Sequence, residues 1–236
     1  LNKSIFTCAI LLAVLQIHLF GQDNNMSTLQ EEFVFEMLPV IRKVNAEITD
    51  QRKFANEIIQ KLQQQANLSN QEKNDFIRLL RYYRMNPDVS VDSMVCSPEC
   101  LDELFLKIDI IPEKIALAQA AIESSWGRSR FAREGNSYFG IRCRRPGCGL
   151  EPEQAANEGF YVRSYQSLME GVKHYAKFLN AGRYYDDFRK RRKVSRSNGN
   201  ELDPLYIVEG LQMYSVKRDA YINSLKTIIM YNFANL

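Results

Sequence analysis

The stretch Ile110-Ile111-Pro112-Glu113-Lys114-Ile115-Ala116-Leu117-Ala118-Gln119-Ala120-Ala121-Ile122-Glu123-Ser124-Ser125-Trp126-Gly127 decides how the chain is read. It predicts one helix carrying one acid. Pro112 suits the first helical position, where its missing N–H is not needed, and Gly127 suits a left-handed residue after the last turn. Ile115, Ala118 and Ile122 share one face. Glu123 lies one turn beyond Gln119 and Ala120 and two beyond Ala116, on a small, polar stripe that could line a cleft. The negative pole of the helix dipole, together with Trp126, disfavours an ionised carboxylate at that end, which suits a general acid. An isolated glutamate on a last turn would otherwise read as an exposed charge.

The motifs around this helix extend the reading. Ala120-Ala121-Ile122-Glu123-Ser124-Ser125-Trp126-Gly127, then Ser129-Arg130-Phe131-Ala132, then Asn136-Ser137-Tyr138-Phe139-Gly140-Ile141, resemble the signature of bacterial peptidoglycan N-acetylglucosaminidases. The resemblance runs on through Cys143 and Cys148, Tyr165-Gln166-Ser167 and the tail Tyr214 to Ile229, and it is nearest to the Bax-like branch of that family. It implies an α+β, mainly α fold: a lysozyme-like domain with a small β-lobe, here preceded by an N-terminal helical extension. Glu123 would be the general acid, and a cleft tyrosine from the tail would assist it. Gln119, Trp126, Asn136, Phe139, Tyr165 and Tyr221 would contact substrate.

The chain has 236 residues, 45% of them hydrophobic, and a formal charge of +3. Lys3, the run Ile5 to Leu15 and the polar residues after Gly21 predict a secretory signal peptide over 1–21, with a retained anchor as the alternative. Lys3 is the only charge before Asp23, so the exported protein would carry about +2. That balance suits anionic wall polymers without requiring them. No later run is long and apolar enough to predict a second membrane span.

Residues 22–100 read as a helical extension. Leu29, Phe33, Met37, Leu38 and Ile41 recur at helical spacing, with a break expected at Pro39; Val44, Ile48, Ala55, Ile58, Ile59 and Leu62 continue the stripe, and Phe76, Leu79, Leu80 and Tyr83 form another. These helices read as a cap on the catalytic domain of residues 101–236, with a partner-docking surface as the alternative. Asn86 to Pro98 is a loop by composition.

Four cysteines remain after the leader, and export favours disulfides over a metal site. Pro146-Gly147 can make the turn that brings Cys143 to Cys148, which would leave Cys96 for Cys100. The spacing is not a clean zinc pattern, and neither a metal nor a cofactor is expected.

Gly135 to Phe160 loses the helical period and is the place for a β-lobe. A second acid across a cleft would come from Glu158, just before the strand-like Phe160-Tyr161-Val162, or from Glu151, with Glu153 a further candidate; the substrate's own N-acetyl group could replace it. Ser167 and Glu170 predict a capping box before a helix over Leu168 to Asn180. Arg189-Lys190-Arg191-Arg192-Lys193 reads as a solvated helix end, with wall polymers rather than nucleic acid as its possible contact.

Leu205 to Phe233 predicts two helices joined around Tyr214-Ser215-Val216-Lys217-Arg218-Asp219-Ala220-Tyr221. Tyr214 and Tyr221 match two tyrosines of the resembled family, though Ser215 to Arg218 depart from its usual residues. Loop position favours Tyr214 as the catalytic tyrosine, and helical spacing with Leu225 and Ile228 favours Tyr221 as core. The function expected is exported hydrolysis of the β-1,4 bond after N-acetylglucosamine in peptidoglycan glycan strands. A lytic transglycosylase using the same glutamate and a non-catalytic wall-binding protein are the alternatives.

Overall fold

The computed structural model describes residues 26–85, 98–153, 159–198 and 202–236. At its centre is the helix over Glu113–Ser124, whose residues Ile115 to Ala121 are all 0 or 1% exposed. A helix buried on every side must be apolar or small on every side, and the four alanines at 116, 118, 120 and 121 let neighbours approach. Pro112 sits one position earlier than expected, as the N-cap rather than the first helical residue.

Before it come α1 (Thr28–Gln63), α2 (Asn70–Tyr82) and α3 (Pro98–Lys107); the central helix is α4. Then follow α5 (Arg130–Gly135), the strands β1 (Arg142–Cys143), β2 (Gly149–Leu150) and β3 (Tyr161–Arg163), and the helices α6 (Leu168–Ala181), α7 (Asp186–Asn198), α8 (Pro204–Ile207) and α9 (Asp219–Asn232). The protein is therefore mainly helical, with a small antiparallel sheet in the order β1-β3-β2. Arg142 pairs with Val162, and Gly149 with Arg163. No helix among the described residues is long and apolar enough to cross a membrane.

The break expected at Pro39 does not occur. α1 runs through it for 36 residues. Proline removes one backbone hydrogen bond, but Phe33, Met37, Leu38, Ile41 and Val44 are buried on both sides of it, and that continuous apolar stripe holds the helix in one piece. α1 packs on both α4 and α6. Asn45 secures the first contact by accepting from the Ile111 N–H at 3.0 Å and donating to its carbonyl at 2.8 Å. One apolar core runs from Phe33 to Phe233, so the extension and the rest of the chain share it.

α4 ends earlier than Gly127. Ser125, Trp126 and Gly127 all have positive φ, at 53°, 58° and 77°. Two non-glycine residues in this region cost about 1 kcal/mol or more each. Ser124 offsets this by donating to the Ala120 carbonyl at 2.6 Å and accepting from the Gly127 N–H at 2.7 Å. The turn delivers Trp126 between Phe33 of α1 and Phe233 beyond α9, with ring centroids at 5.5 and 6.0 Å.

The basic run on α7 is not simply a solvated end. Arg192 is wholly buried and donates to the carbonyls of Leu106, Asp109 and Ile110 and to the side chain of Asn180. Arg189, 5% exposed, donates to the carbonyls of Leu179 and Gly182. These guanidiniums satisfy the backbone of the α3–α4 connection and of the end of α6, which would otherwise bury unpaired carbonyls. Asp109 balances Arg192 at 3.4 Å and Arg196 at 2.6 Å. Lys190, Lys193 and Arg196 remain exposed.

The first of the two C-terminal helices is also shorter than expected. α8 gives way to a 3₁₀ turn over Val208–Leu211. A side chain at Gly210 would meet the Phe188 backbone at 2.4 Å, so this turn lies directly on α7 and is tightened there. Cys143 and Cys148 are bridged, with Cα atoms 6.3 Å apart, and the bridge closes the turn between β1 and β2. Cys100 is a free thiol, and Cys96, its expected partner, lies outside the described residues.

Candidate active site

Glu123 occupies the last turn of α4 and is half-buried. The hydroxyl of Tyr221 on α9 lies beside its carboxylate and favours the charged form. On another side it meets Gly140, where φ is +61° and a Cβ would lie 2.8 Å from Oε2. Loss of solvent raises its pKa above the ordinary carboxylate value, while the Tyr221 hydroxyl and the charge of Arg142 oppose that rise. The carboxyl is thus poised by two opposing influences.

Behind it lies a set of buried tyrosines. Gln119, one turn before Glu123, is 0% exposed; its Nε2 donates to the Tyr221 hydroxyl at 3.0 Å, and its Oε1 accepts from the Tyr175 hydroxyl at 2.7 Å. Tyr175 stacks on Phe139 at 3.8 Å with planes 9° apart. Tyr214 stacks parallel to Tyr221 at 5.8 Å, and its hydroxyl donates to the Phe139 carbonyl at 2.7 Å. Tyr185 packs on Tyr214 at 6.1 Å. Burial, with the negative charge of Glu123 adding to it, raises the pKa of Tyr185. Burial, Tyr221 and then Glu123 do the same for Tyr214. Their hydroxyls therefore remain protonated.

The expected site residues divide accordingly. Glu123, Gln119, Tyr221, Tyr214 and Phe139 come together. Gln119 and Ala120, expected to line an open cleft, are instead packed beneath the carboxylate, because α9 closes over the small stripe of α4. Gln119 and Phe139 have interior roles rather than a ligand-facing one. Trp126 joins α1 to the C-terminus through Phe33 and Phe233. Asn136 caps α5 with φ 50° and donates to the Tyr165 carbonyl at 3.0 Å, and the Tyr165 hydroxyl is 2.8 Å from Nδ1 of His174. These two hold the start of α6 against α5.

Of the candidate second acids, Glu151 is exposed and its carbonyl accepts from Arg130 at 2.6 Å, while Glu153 lies 3.5 Å from the same guanidinium. Glu158 lies outside the described residues. No group of metal-ligating side chains occurs among the described residues.

Sequence reasoning passed over Tyr175, Tyr185, Gly140 and Arg142. Tyr175 and Tyr185 carry no signal beyond ordinary core aromatics. Gly140 stood within the quoted motif, and its place one residue after Phe139 was the available clue. Arg142, on β1 and stacked over Phe160 at 4.2 Å, brings a cation from the sheet to the carboxylate.

A half-buried glutamate beside a tyrosine, in a mainly helical protein with a small antiparallel sheet, fits a glycosidase-type enzyme. The chain belongs to the glucosaminidase family, described as mannosyl-glycoprotein endo-beta-N-acetylglucosaminidase, which it matches over residues 101–233. It is 29% identical over 196 residues to Protein bax of Escherichia coli strain K12, covering 83% of this chain and 67% of the relative. Among solved structures it is similar to the catalytic domain of the autolysin Auto from Listeria monocytogenes, at 18% identity, 93% coverage of each chain and a TM-score of 0.43. It is also similar to a type VI secretion system effector–immunity complex from Pseudomonas protegens, at 22% identity, with 52% of this chain and 77% of that one covered and a TM-score of 0.34.

Proposed function

We propose that this protein is exported to the cell envelope and hydrolyses the β-1,4 bond that follows N-acetylglucosamine in peptidoglycan strands. The observation that carries the reading is the placement of Glu123: an acid at the end of the buried helix α4, within the span that matches the family, beside the Tyr221 hydroxyl and against Gly140. Burial favours the protonated form of the carboxyl, the form that can donate to the glycosidic oxygen as the bond breaks. The tyrosine hydroxyl steadies the carboxylate once that proton has left. Positive charge then develops at the sugar ring, beside a newly formed anion.

Water completes the reaction. It would be directed either by a carboxylate of the β-lobe, Glu158 or Glu151, or by the substrate's own N-acetyl group acting first as the internal nucleophile. Of the two tail tyrosines, Tyr221 is the one whose hydroxyl lies beside Glu123, whereas the Tyr214 hydroxyl is committed to Phe139. Tyr221 is therefore assigned the catalytic contact and Tyr214 the support of its ring, which exchanges the roles expected from loop position. The Cys143–Cys148 bridge agrees with an oxidising compartment.

Digestion of purified sacculi, followed by mass spectrometry of the released fragments, tests this. Fragments with reducing N-acetylglucosamine ends are expected. Anhydro-muramic ends would identify a lytic transglycosylase, and binding without release would identify a wall-binding protein.

A further inference from the structure

A pocket of about 220 Å³ lies between α1, α3 and α7, where the helical extension meets the rest of the chain. Arg52 of α1 and Arg189, Lys193 and Arg196 of α7 line it, and the acids in its wall are Asp102 and Asp109. Asp109 cannot serve all of these cations. Its Oδ1 already accepts from Arg196 at 2.6 Å and from the Ile110 N–H at 2.9 Å, and buried Arg192 stays 3.4 Å from Oδ2 with an Nε that makes no hydrogen bond among the described residues. Asp102 is an exposed residue paired with exposed Lys193 at 2.6 Å, and an ion pair in water stabilises little. Asp186, 3.7 Å from Arg189, is shared with Lys190. Cations therefore outnumber carboxylates where they converge, and their mutual repulsion in a partly buried pocket favours an added anion.

Donors are held ready there. Nη1 of Arg52 donates to the carbonyls of Phe105 at 2.6 Å and Ile108 at 2.5 Å, and the guanidinium lies 4.9 Å over the Phe105 ring. These contacts fix its plane and leave its Nε and Nη2 without a hydrogen bond among the described residues. Arg196 commits only Nη2, to Asp109. Arg189 differs, since its Nη1 is spent on the Leu179 and Gly182 carbonyls and its part in the pocket is mainly charge. We infer that this pocket binds the phosphate group of a phosphate monoester, with Arg52, Lys193 and Arg196 as its contacts. Guanidiniums with several uncommitted N–H groups match the several oxygens of a phosphate, whose charge of about −1.5 to −2 near neutral pH answers the excess of cations. Phe105 and Leu106 offer an apolar wall to the carbon skeleton beyond it. A single pocket takes one such group, whereas a nucleic-acid strand needs a stripe of cations along successive phosphates. Asp109 lies just before α4 and Glu123 in its last turn, roughly 15 Å along the helix, so the site stands without the proposed function.

The test titrates the full chain with inorganic phosphate and then glycerol 3-phosphate, at an ionic strength held constant with chloride, following the arginine Nε–H signals by ¹H–¹⁵N NMR beside thermal melts. The wild type should show saturable shifts at Arg52 and Arg196 and a Tm that rises with either probe. Lys193→Gln changes an exposed residue with an exposed partner, so it should fold, and it should bind about tenfold more weakly for the loss of one charge-assisted contact. Arg196→Gln should weaken binding at least as much. Lys190→Gln, on the same helix but outside the pocket, should bind as the wild type does. Vesicles of phosphatidylcholine with and without phosphatidic acid then separate two sources of the monoester. Co-sedimentation that requires phosphatidic acid and is lost in Lys193→Gln assigns a lipid headgroup; binding of glycerol 3-phosphate without co-sedimentation assigns a soluble ester, and either result upholds the site. Shifts that do not saturate, that chloride reproduces, or that Lys190→Gln weakens as much as Lys193→Gln does would overturn the inference, as would binding of inorganic phosphate but not of the ester.

Discussion

Gly140 lies against Glu123 so closely that a single added carbon would reach within 2.8 Å of Oε2, at a backbone φ of +61° that side chains rarely adopt. Two constraints therefore coincide on one residue. Gly140→Ala is expected to cost about 1–2 kcal/mol of stability through its backbone alone. It should also lower kcat by about tenfold or more, because the added carbon displaces the carboxylate. Parallel thermal melts and turnover measurements check it, and unchanged turnover would show that the Gly140 loop yields instead.

Tyr214 and Tyr221 share a stack, but their hydroxyls differ in what they serve. Tyr221→Phe removes the hydroxyl beside Glu123 and should reduce kcat about tenfold with a modest change in Tm. Tyr214→Phe leaves the Phe139 carbonyl without its donor and should cost about 1–3 kcal/mol of stability, with a smaller loss of turnover. The pair of variants assayed for both quantities separates the roles. Full turnover in Tyr221→Phe with loss in Tyr214→Phe would reverse them.

The raised pKa of Glu123 also has a thermodynamic sign. Between its unfolded value, about 4.3, and its raised folded value, the native state binds the extra proton, so stability falls as pH rises. Below pH of about 4 both states are protonated and the group contributes no slope. Glu123→Gln should thus match the wild type in acid and become the more stable protein as pH rises through the folded pKa. Denaturant titrations across that range check the sign, and a wild type that gains on the variant with rising pH would contradict it.

Arg192 tests the interior reading of the basic run. Replacing it with Met should cost about 3–5 kcal/mol, because Asp109 and several carbonyls lose a buried partner. A surface cation would change stability far less. Urea unfolding of the variant measures the difference.

The central helix, the acid at its end and the small sheet were legible because each rests on local chemistry: Pro112 at a start, Glu123 in a motif, and loss of helical period after Gly135. Pro39 misled because its cost is local while the stripe from Phe33 to Val44 that outweighs it is buried by distant helices. Arg192 misled for a related reason. Sequence shows a charge, but only the fold shows carbonyls at Leu106 and Ile110 that need donors. The proposed exchange of Tyr214 and Tyr221 rests on which hydroxyl lies beside Glu123 and which donates to the Phe139 carbonyl, and neither can be read from helical spacing. Helical spacing correctly made Tyr221 a buried residue, and it carried no hint that a buried face also held the acid.

The most direct test of the account is digestion of sacculi by Glu123→Gln, assayed beside the wild type with folding verified by circular dichroism and thermal melting. The amide keeps the size of the carboxyl but cannot supply its proton. The account predicts a folded variant, at least as stable as the wild type at neutral pH, that releases essentially no glycan fragments. A folded Glu123→Gln protein that still releases reducing N-acetylglucosamine ends at the wild-type rate would contradict it.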